Sequence, residues 1–215
     1  MKSSTDIFRK GTIDVSRVYY YAMLLGSISI LCLLSSCRQS EGEFNNELRL
    51  ELLQMMDEDQ RIRQQVTPET KDSLLLAQMH EVDRKNASRM KEIVDTYGWP
   101  GKTLVGEDGA SAAWLLVQHA ERDLAFQRRC LGLMQEAANR GEVSLGELAY
   151  LTDRVRCSDG RKQLYGTQLE IRSGALYPRP IEDKPNVDKR RAEVGLPPLE
   201  EYVEAMRAMH RRQSD

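Results

Sequence analysis

Several residue types and patterns are scarce in this chain of 215 residues. With 7 Pro and 14 Gly, it has too few of either for a low-complexity or fibrous protein. Its net charge of -2 lacks the basic excess that a general nucleic-acid-binding protein usually carries, so we predict no nucleic-acid partner. The balance of 40% hydrophobic and 30% charged residues fits a folded globular chain. The length predicts one compact domain, or one domain with a short appendage.

The motifs of the common enzyme classes are also missing. The chain has no Gly-x-Ser-x-Gly nucleophile elbow, no phosphate-binding loop and no Gly-x-Gly-x-x-Gly. His80 and Glu81 begin like a zinc-protease helix motif, but Arg84 stands where the second histidine belongs. The acidic run Asp57–Asp59 is more typical of a solvated helix face than of a cation site. We therefore predict no metal and no cofactor.

The N-terminus has the pattern of a secretory signal. Residues 1–17 carry more basic than acidic side chains, and an apolar run from Ala22 to Leu34 follows. This run is shorter than the about 20 residues that span a bilayer comfortably. Counting Val18 to Tyr21 lengthens it, so an uncleaved anchor remains an alternative to a signal peptide.

The small residues directly before Cys37 resemble the lipobox of bacterial lipoproteins. This resemblance implies cleavage before Cys37 and acylation of its thiol, and several acyl chains give stable anchoring to a lipid bilayer. We predict a signal peptide over residues 1–36, a lipidated tether over 37–43 and one domain over 44–211. The expected location is the cell envelope, on its periplasmic or surface face, with simple secretion as a further alternative.

Apolar residues recur at helical spacing along most of the mature chain. Thr67 and Pro68 have the types of an N-cap and a first helical residue, and Ser144 to Glu147 form a capping box. The third helix is apolar on most faces, which predicts a central, buried position. The predicted helices are Phe44 to Val66, Thr67 to Tyr97, Ala110 to Ala120, Leu124 to Asn139, one from Ser144, Asp188 to Val194, and Leu199 to His210.

Between the fifth and sixth helices the pattern becomes strand-like. Alternation from Gln163 to Ile171 predicts one strand, and Ala175 to Ile181 predicts its return after a turn. Pro178 and Pro180 confine the second strand to an edge. The predicted fold is mainly α: a single compact domain of about six to seven helices with one small β-hairpin.

Two cysteines, Cys130 and Cys157, lie inside the predicted domain. In an oxidising compartment a disulfide between them is allowed. Cys130 lies among Leu131, Leu133 and Met134, so a buried free thiol is at least as well supported.

Polar residues at positions where the helical pattern predicts apolar ones are the best functional candidates. Asn86 occupies a stripe position of the second helix, and Asp83 lies one turn before it. Gln118 and His119 end the most apolar helix. Histidine is the usual general acid or base because its pKa lies near neutrality. The alternative is structural, since buried polar groups are commonly satisfied by hydrogen bonds to neighbouring backbone.

A second polar group lies around the predicted hairpin. Asp153 and Arg154 end the fifth helix, where an ion pair is the simplest interpretation. Gln163, Tyr165 and Gln168 supply amide and hydroxyl groups on the first strand. Tyr165 and Gln168 point to opposite faces of a regular strand, unless Gly166 marks a bulge.

Six segments in order resemble an uncharacterised bacterial family, DUF6624. They are Met56–Arg63, Gly98–Pro100, Val117–Ala120, Ala149–Val155, Gln163–Gln168 and Arg190–Leu196. The resemblance spans roughly residues 48–205 and implies no established activity, but it includes the polar segments described above. Where the family has Asp after Gln-His-Ala, this chain has Glu121. The candidate residues are Asp59, Gln60, Arg63, Asp83, Asn86, Gln118, His119, Asp153, Arg154, Gln163, Tyr165 and Gln168.

Two functions are compatible with this set. In the first, a ligand-binding or interaction module, the polar groups hold a small molecule or a protein partner, or lock the helices onto the hairpin. In the second, an enzyme, His119 is the general acid or base and Asp153 orients it. Arg154 then binds an anionic group. Gln118, Tyr165 and Gln168 position a small polar substrate for hydrolysis or group transfer.

Overall fold

The computed structural model describes residues 43–66, 70, 72–172 and 174–214. The described residues form seven α-helices and one β-hairpin, which confirms the predicted mainly helical single domain. The elements are α1 (Asn46–Arg63), α2 (Ser73–Tyr97), α3 (Lys102–Gln118), α4 (Leu124–Ala138), α5 (Leu145–Ser158), β1 (Leu169–Arg172), β2 (Ala175–Pro178), α6 (Val187–Glu193) and α7 (Leu199–Ser214).

Capping side chains determine where several helices begin. Ser144 accepts a hydrogen bond from the backbone N–H of Glu147, so the predicted start of α5 is confirmed. The predicted start of α2 is wrong. This helix begins at Ser73, and the Asp72 carboxylate accepts hydrogen bonds from the backbone N–H groups of Leu74 and Leu75 in its first turn. The predicted cap, Thr67 and Pro68, lies outside the described residues.

Helix α3 is the centre of the helical core, as its composition predicts. It packs against α1, α2, α4 and α5, and Val105, Leu116 and Val117 are fully buried or nearly so. The helix begins at Lys102, earlier than predicted, and the backbone is non-helical at Gly106, where φ is +74°. Fully burying one large aliphatic side chain contributes about 1.5–3 kcal/mol, so this core stabilises the arrangement of five helices.

The hairpin is shorter than predicted. Strands β1 and β2 pair antiparallel with Leu169 opposite Pro178, and residues 163–168 form a loop rather than a strand. Gly166 in this loop has φ +74°, and a Cβ there would lie 2.6 Å from Leu199 Cδ1. The loop therefore needs glycine for both its backbone conformation and its close contact with α7.

A second, smaller apolar cluster joins the hairpin to the C-terminal helices. Val187, Leu199 and Val203 are buried there. The fully buried Arg191 donates to the carbonyl oxygens of Tyr165 and Pro197, so α6 is tied to the loop before the hairpin.

Cys130 is buried and Cys157 is half-buried, and both are free thiols, so the disulfide that the sequence allows is not formed. Cys37 lies outside the described residues. Within the described part of the chain, no helix combines the length and the apolar character needed to cross a membrane.

Candidate functional site

The most distinctive polar contact in the domain joins α1 to the end of α3. Nδ1 of His119 lies 2.9 Å from Oδ2 and 3.0 Å from Oδ1 of Asp59. The Asp59 carboxylate is buried, whereas the His119 side chain keeps 17% of its surface exposed. Because an ionised carboxylate only accepts hydrogen bonds, Nδ1 carries the proton in this contact. The other ring nitrogen, Nε2, is then the acceptor of a neutral imidazole.

Two further side chains hold the Asp59 carboxylate. Gln60 Nε2 donates to Oδ2 at 2.8 Å, and Arg63 Nε donates to Oδ1 at 3.1 Å. The guanidinium of Arg63 also forms an ion pair with Asp83 on α2. Four of the predicted residues, from α1 and α2, therefore converge in one network with His119, which directly follows α3.

The two carboxylates of this network have opposite pKa shifts. Burial works to raise the pKa of Asp59, but its contacts with His119, Arg63 and Gln60 outweigh that effect and lower the pKa. Burial raises the pKa of Asp83; Arg63 opposes this rise and Asp59 adds to it. Asp59 is therefore ionised at neutral pH and is suited to orient the imidazole.

The network opens into a cleft of about 700 Å³ between α2 and the loop of residues 119–123. Arg63, Asp83 and His119 are among the residues that line it, together with the apolar Met79 and Ala87. Its volume falls in the range of small-molecule sites, which are clefts with mostly apolar walls and a few placed polar groups.

Asp153 is engaged in a different part of the fold. Its carboxylate is fully buried and accepts hydrogen bonds from the backbone N–H groups of Leu164, Tyr165 and Thr167 and from the Thr167 hydroxyl. The partner of His119 is therefore Asp59, and Asp153 does not orient it. Asp153 instead holds the loop that precedes the hairpin, which explains why residues 163–168 do not form a strand.

Arg154, the next residue of α5, has a different partner. Its guanidinium forms an ion pair with Glu121, which lines the cleft. Burial lowers the pKa of Arg154, and Glu121 opposes that shift. The Nε of Arg154 is buried and makes no hydrogen bond with the described residues. Arg154 thus contacts the cleft only through Glu121.

The remaining residues predicted on the strand have structural contacts. Gln163 is fully buried and donates to the carbonyl oxygens of Gln168 and Arg179, while its own oxygen accepts from the Gln168 N–H. Gln168 also donates to the Thr167 hydroxyl. The half-buried Tyr165 lies in the same loop, and burial raises the pKa of its hydroxyl. These side chains are not among those that line the cleft.

Asn86 and Gln118 are buried, as their positions predict, but neither lines the cleft. Asn86 Nδ2 and Gln118 Oε1 have no hydrogen-bond partner in the described part of the chain. Within residues 43–66, 72–172 and 174–214, no three His, Cys, Asp or Glu side chains are placed to hold a metal ion.

One positioning residue is missing from the predicted set. Gln127 on α4 is fully buried, and its Nε2 donates to the carbonyl oxygens of Val117 and Gln118 at 3.0 and 3.1 Å. It therefore holds the last turn of α3, directly before His119. The available signal was a glutamine next to the apolar stripe of Phe126 and Cys130.

The second histidine of the cleft, His80, appeared in the sequence only as part of a failed zinc motif. It lies on α2 and lines the same cleft as His119, so two of the three histidines in the chain face this space.

Comparison with known proteins gives one match. The model of DUF6624, described as a family of unknown function, matches residues 46–211. No curated protein and no solved structure matches the chain. The matched range contains the whole His119 network and the Asp153 loop. Because it covers well over half of the sequence, the chain belongs to the family DUF6624.

Proposed function

We propose that the cleft beside His119 is the active site of an enzyme, a hydrolase or group transferase that acts on a small polar molecule. One observation carries this proposal: a buried, ionised carboxylate holds Nδ1 of a half-buried histidine that lines an open cleft. This is how a general acid or base is commonly held: here the Asp59 carboxylate orients the imidazole of His119.

The proposed chemistry follows from the hydrogen bonds of His119. Asp59 holds the proton on Nδ1, so Nε2 of the neutral ring takes a proton from water or from a substrate hydroxyl. The charge of Asp59 then stabilises the imidazolium, and the same Nε2 returns the proton to the leaving group. Arg63 and Gln60 keep Asp59 ionised and in place. A positioned acid–base group of this kind contributes about 10²–10⁴-fold to a rate.

The test is a panel of small ester, amide, phosphoester and glycoside substrates assayed with the purified protein. We expect turnover of at least one class, with kcat reduced by about 10²-fold or more in His119→Ala and Asp59→Asn. Arg140→Gln is the matched control, because Arg140 lies at the exposed end of α4 outside the cleft. Turnover that is unchanged in His119→Ala contradicts the proposal.

A binding module without chemistry is the second candidate. It is favoured by the absence, among the described residues, of any hydroxyl or thiol hydrogen-bonded to His119. In that case a ligand binds in the cleft and is released unchanged. Saturable binding that is lost in Asp83→Asn, together with no turnover in the panel, would select this candidate.

We propose further that the domain is anchored in the cell envelope by acylation of Cys37. The support is the sequence pattern alone: an apolar run and small residues directly before this cysteine. We expect Cys37→Ser to move the protein from the membrane fraction to the soluble fraction and to remove the acyl mass. Cys32→Ser, inside the apolar run, is the matched control and should leave both unchanged. An unmodified Cys37 in the wild type contradicts this proposal.

A further inference from the structure

Each negative charge that lines the cleft is paired with a neighbouring cation, although Asp83 shares Arg63 with Asp59. Each of the four lining carboxylates forms an ion pair, and in three pairs the cation also lines the cleft. The pairs are Glu81 with Arg84, Asp83 with Arg63, Glu121 with Arg154, and Asp123 with Lys91.

The side chains left without partners in the cleft are mostly hydrogen-bond donors. Arg122, His80 and Ser88 line the cleft, and their side chains make no hydrogen bond or ion pair with any described residue. His119 uses only Nδ1, so Nε2 is also without a partner, but in the neutral ring it is an acceptor and does not add to the donors. Arginine offers five N–H donors in a planar fork that matches a carboxylate or phosphate group.

These groups face each other across the cleft. His80, Arg84 and Ser88 are spaced by four residues, so they lie on one stripe of α2. Arg122 belongs to the opposite wall, the loop of residues 119–123. A ligand between the two walls therefore meets donors on both sides.

We infer that the ligand of this cleft is a small organic anion whose carboxylate or phosphate group is bound by Arg122. The inference rests on the proposed role of the cleft as a small-molecule site. Met79, Ala87 and Ala120 supply apolar surface for the body of the ligand. The anionic group then lies between Arg122 and the α2 stripe, and the rest of the ligand reaches His119.

The test is a titration of the full-length protein followed by the side-chain ¹H–¹⁵N NMR signals of its histidines. Inorganic phosphate and succinate are the two probes, with sodium chloride at equal ionic strength as the reference. We expect one of the two anions to shift the signals of His80 and His119 saturably. Arg122→Gln should weaken this binding about tenfold, which corresponds to about 1.4 kcal/mol.

Arg140→Gln is the control for charge, because it removes one exposed positive charge outside the cleft. Its affinity for the anion should equal that of the wild type. Equal weakening in both variants, or no saturable shift with either anion, overturns the inference.

Two outcomes separate this inference from the proposed function. If a neutral or cationic probe such as glycerol or ethanolamine shifts the same signals and the anions do not, the anion assignment is wrong while the cleft remains a binding site. If anions bind through Arg122 but turnover does not depend on His119, the anion site stands and the acid–base role fails.

Discussion

Replacing Asp153 by alanine should be among the most damaging single changes in this domain. The carboxylate is fully buried and accepts four hydrogen bonds, three from backbone N–H groups and one from the Thr167 hydroxyl. A buried donor left without an acceptor costs about 1–3 kcal/mol. Leu164 and Tyr165 are only half-buried, so water can satisfy part of this loss. We therefore expect Asp153→Ala to lower the free energy of unfolding by about 3–5 kcal/mol.

His119→Ala provides the contrast. The histidine is partly exposed in the cleft, and Asp59 keeps its hydrogen bonds from Arg63 and Gln60 without it. The expected loss is below about 3 kcal/mol, because a net hydrogen bond to a charged group is worth about 1.5–3 kcal/mol. Functional residues are often replaced at little cost to stability.

Urea denaturation followed by far-UV circular dichroism measures both variants against the wild type. Asp153→Asn should fall between the wild type and Asp153→Ala, because the amide retains one acceptor oxygen. If Asp153→Ala loses less than about 1 kcal/mol, its carboxylate does not hold the loop as described. If His119→Ala loses as much as Asp153→Ala, then His119 is primarily structural.

Three further predictions concern other parts of the domain. The lowered pKa of Asp59 means that its ionised form stabilises the fold above its unfolded pKa near 3.8 and that this contribution is lost as pH falls through the lower folded value. Asp59→Asn should therefore lose less stability than the wild type between about pH 5 and about pH 2 in urea titrations, and an equal loss would contradict the assignment. Gly166→Ala should destabilise the domain by about 2–4 kcal/mol, through backbone strain and overlap of the new Cβ with Leu199. Gly160→Ala, with φ +71° and open space around it, should cost only about 1–2 kcal/mol. Equal shifts of the melting temperature in the two variants would refute the close contact at Gly166. Burial raises the pKa of Cys130 to about 12, whereas Cys157 is only half-buried. After alkylation of the native protein at about pH 8, mass spectrometry should therefore find Cys157 modified and Cys130 intact. Rapid labelling of Cys130 would contradict its burial.

The helical part of the fold was predictable because its signals are local. Apolar stripes and capping residues act within one or two turns, so Ser144 correctly marks the start of α5. The start of α2 was missed because Thr67-Pro68 and Asp72 are both good capping signals, and the local pattern alone does not rank them.

The loop of residues 163–168 shows where local patterns fail. Its alternation of residue types is typical of a strand, but the carboxylate of Asp153 accepts hydrogen bonds from three of its backbone N–H groups. A strand partner would have to compete for the same donors. The buried carboxylate of Asp153 on α5 therefore overrides the β-propensity of the loop, and no residue within the loop itself indicates this.

The candidate site was predictable in its members but not in its pairing. Asp59, Arg63, Asp83 and His119 were all singled out, and the structure joins them. From the sequence we predict Asp153 as the partner of His119, and the structure shows that the partner is Asp59. Asp59 lies on a separate helix, 60 positions away from His119 in sequence. The helical spacing of apolar residues does not indicate which residues of two distant helices come into contact.

The tautomer of His119 is the most direct test of the central claim that Asp59 prepares this residue for acid–base work in the cleft. Long-range ¹H–¹⁵N NMR of the neutral imidazole distinguishes a proton on Nδ1 from one on Nε2. The account predicts that the proton is on Nδ1 in the wild type and that Asp59→Asn removes this preference. A neutral His119 with its proton on Nε2 would contradict the account, because Nε2 could then not act as the base.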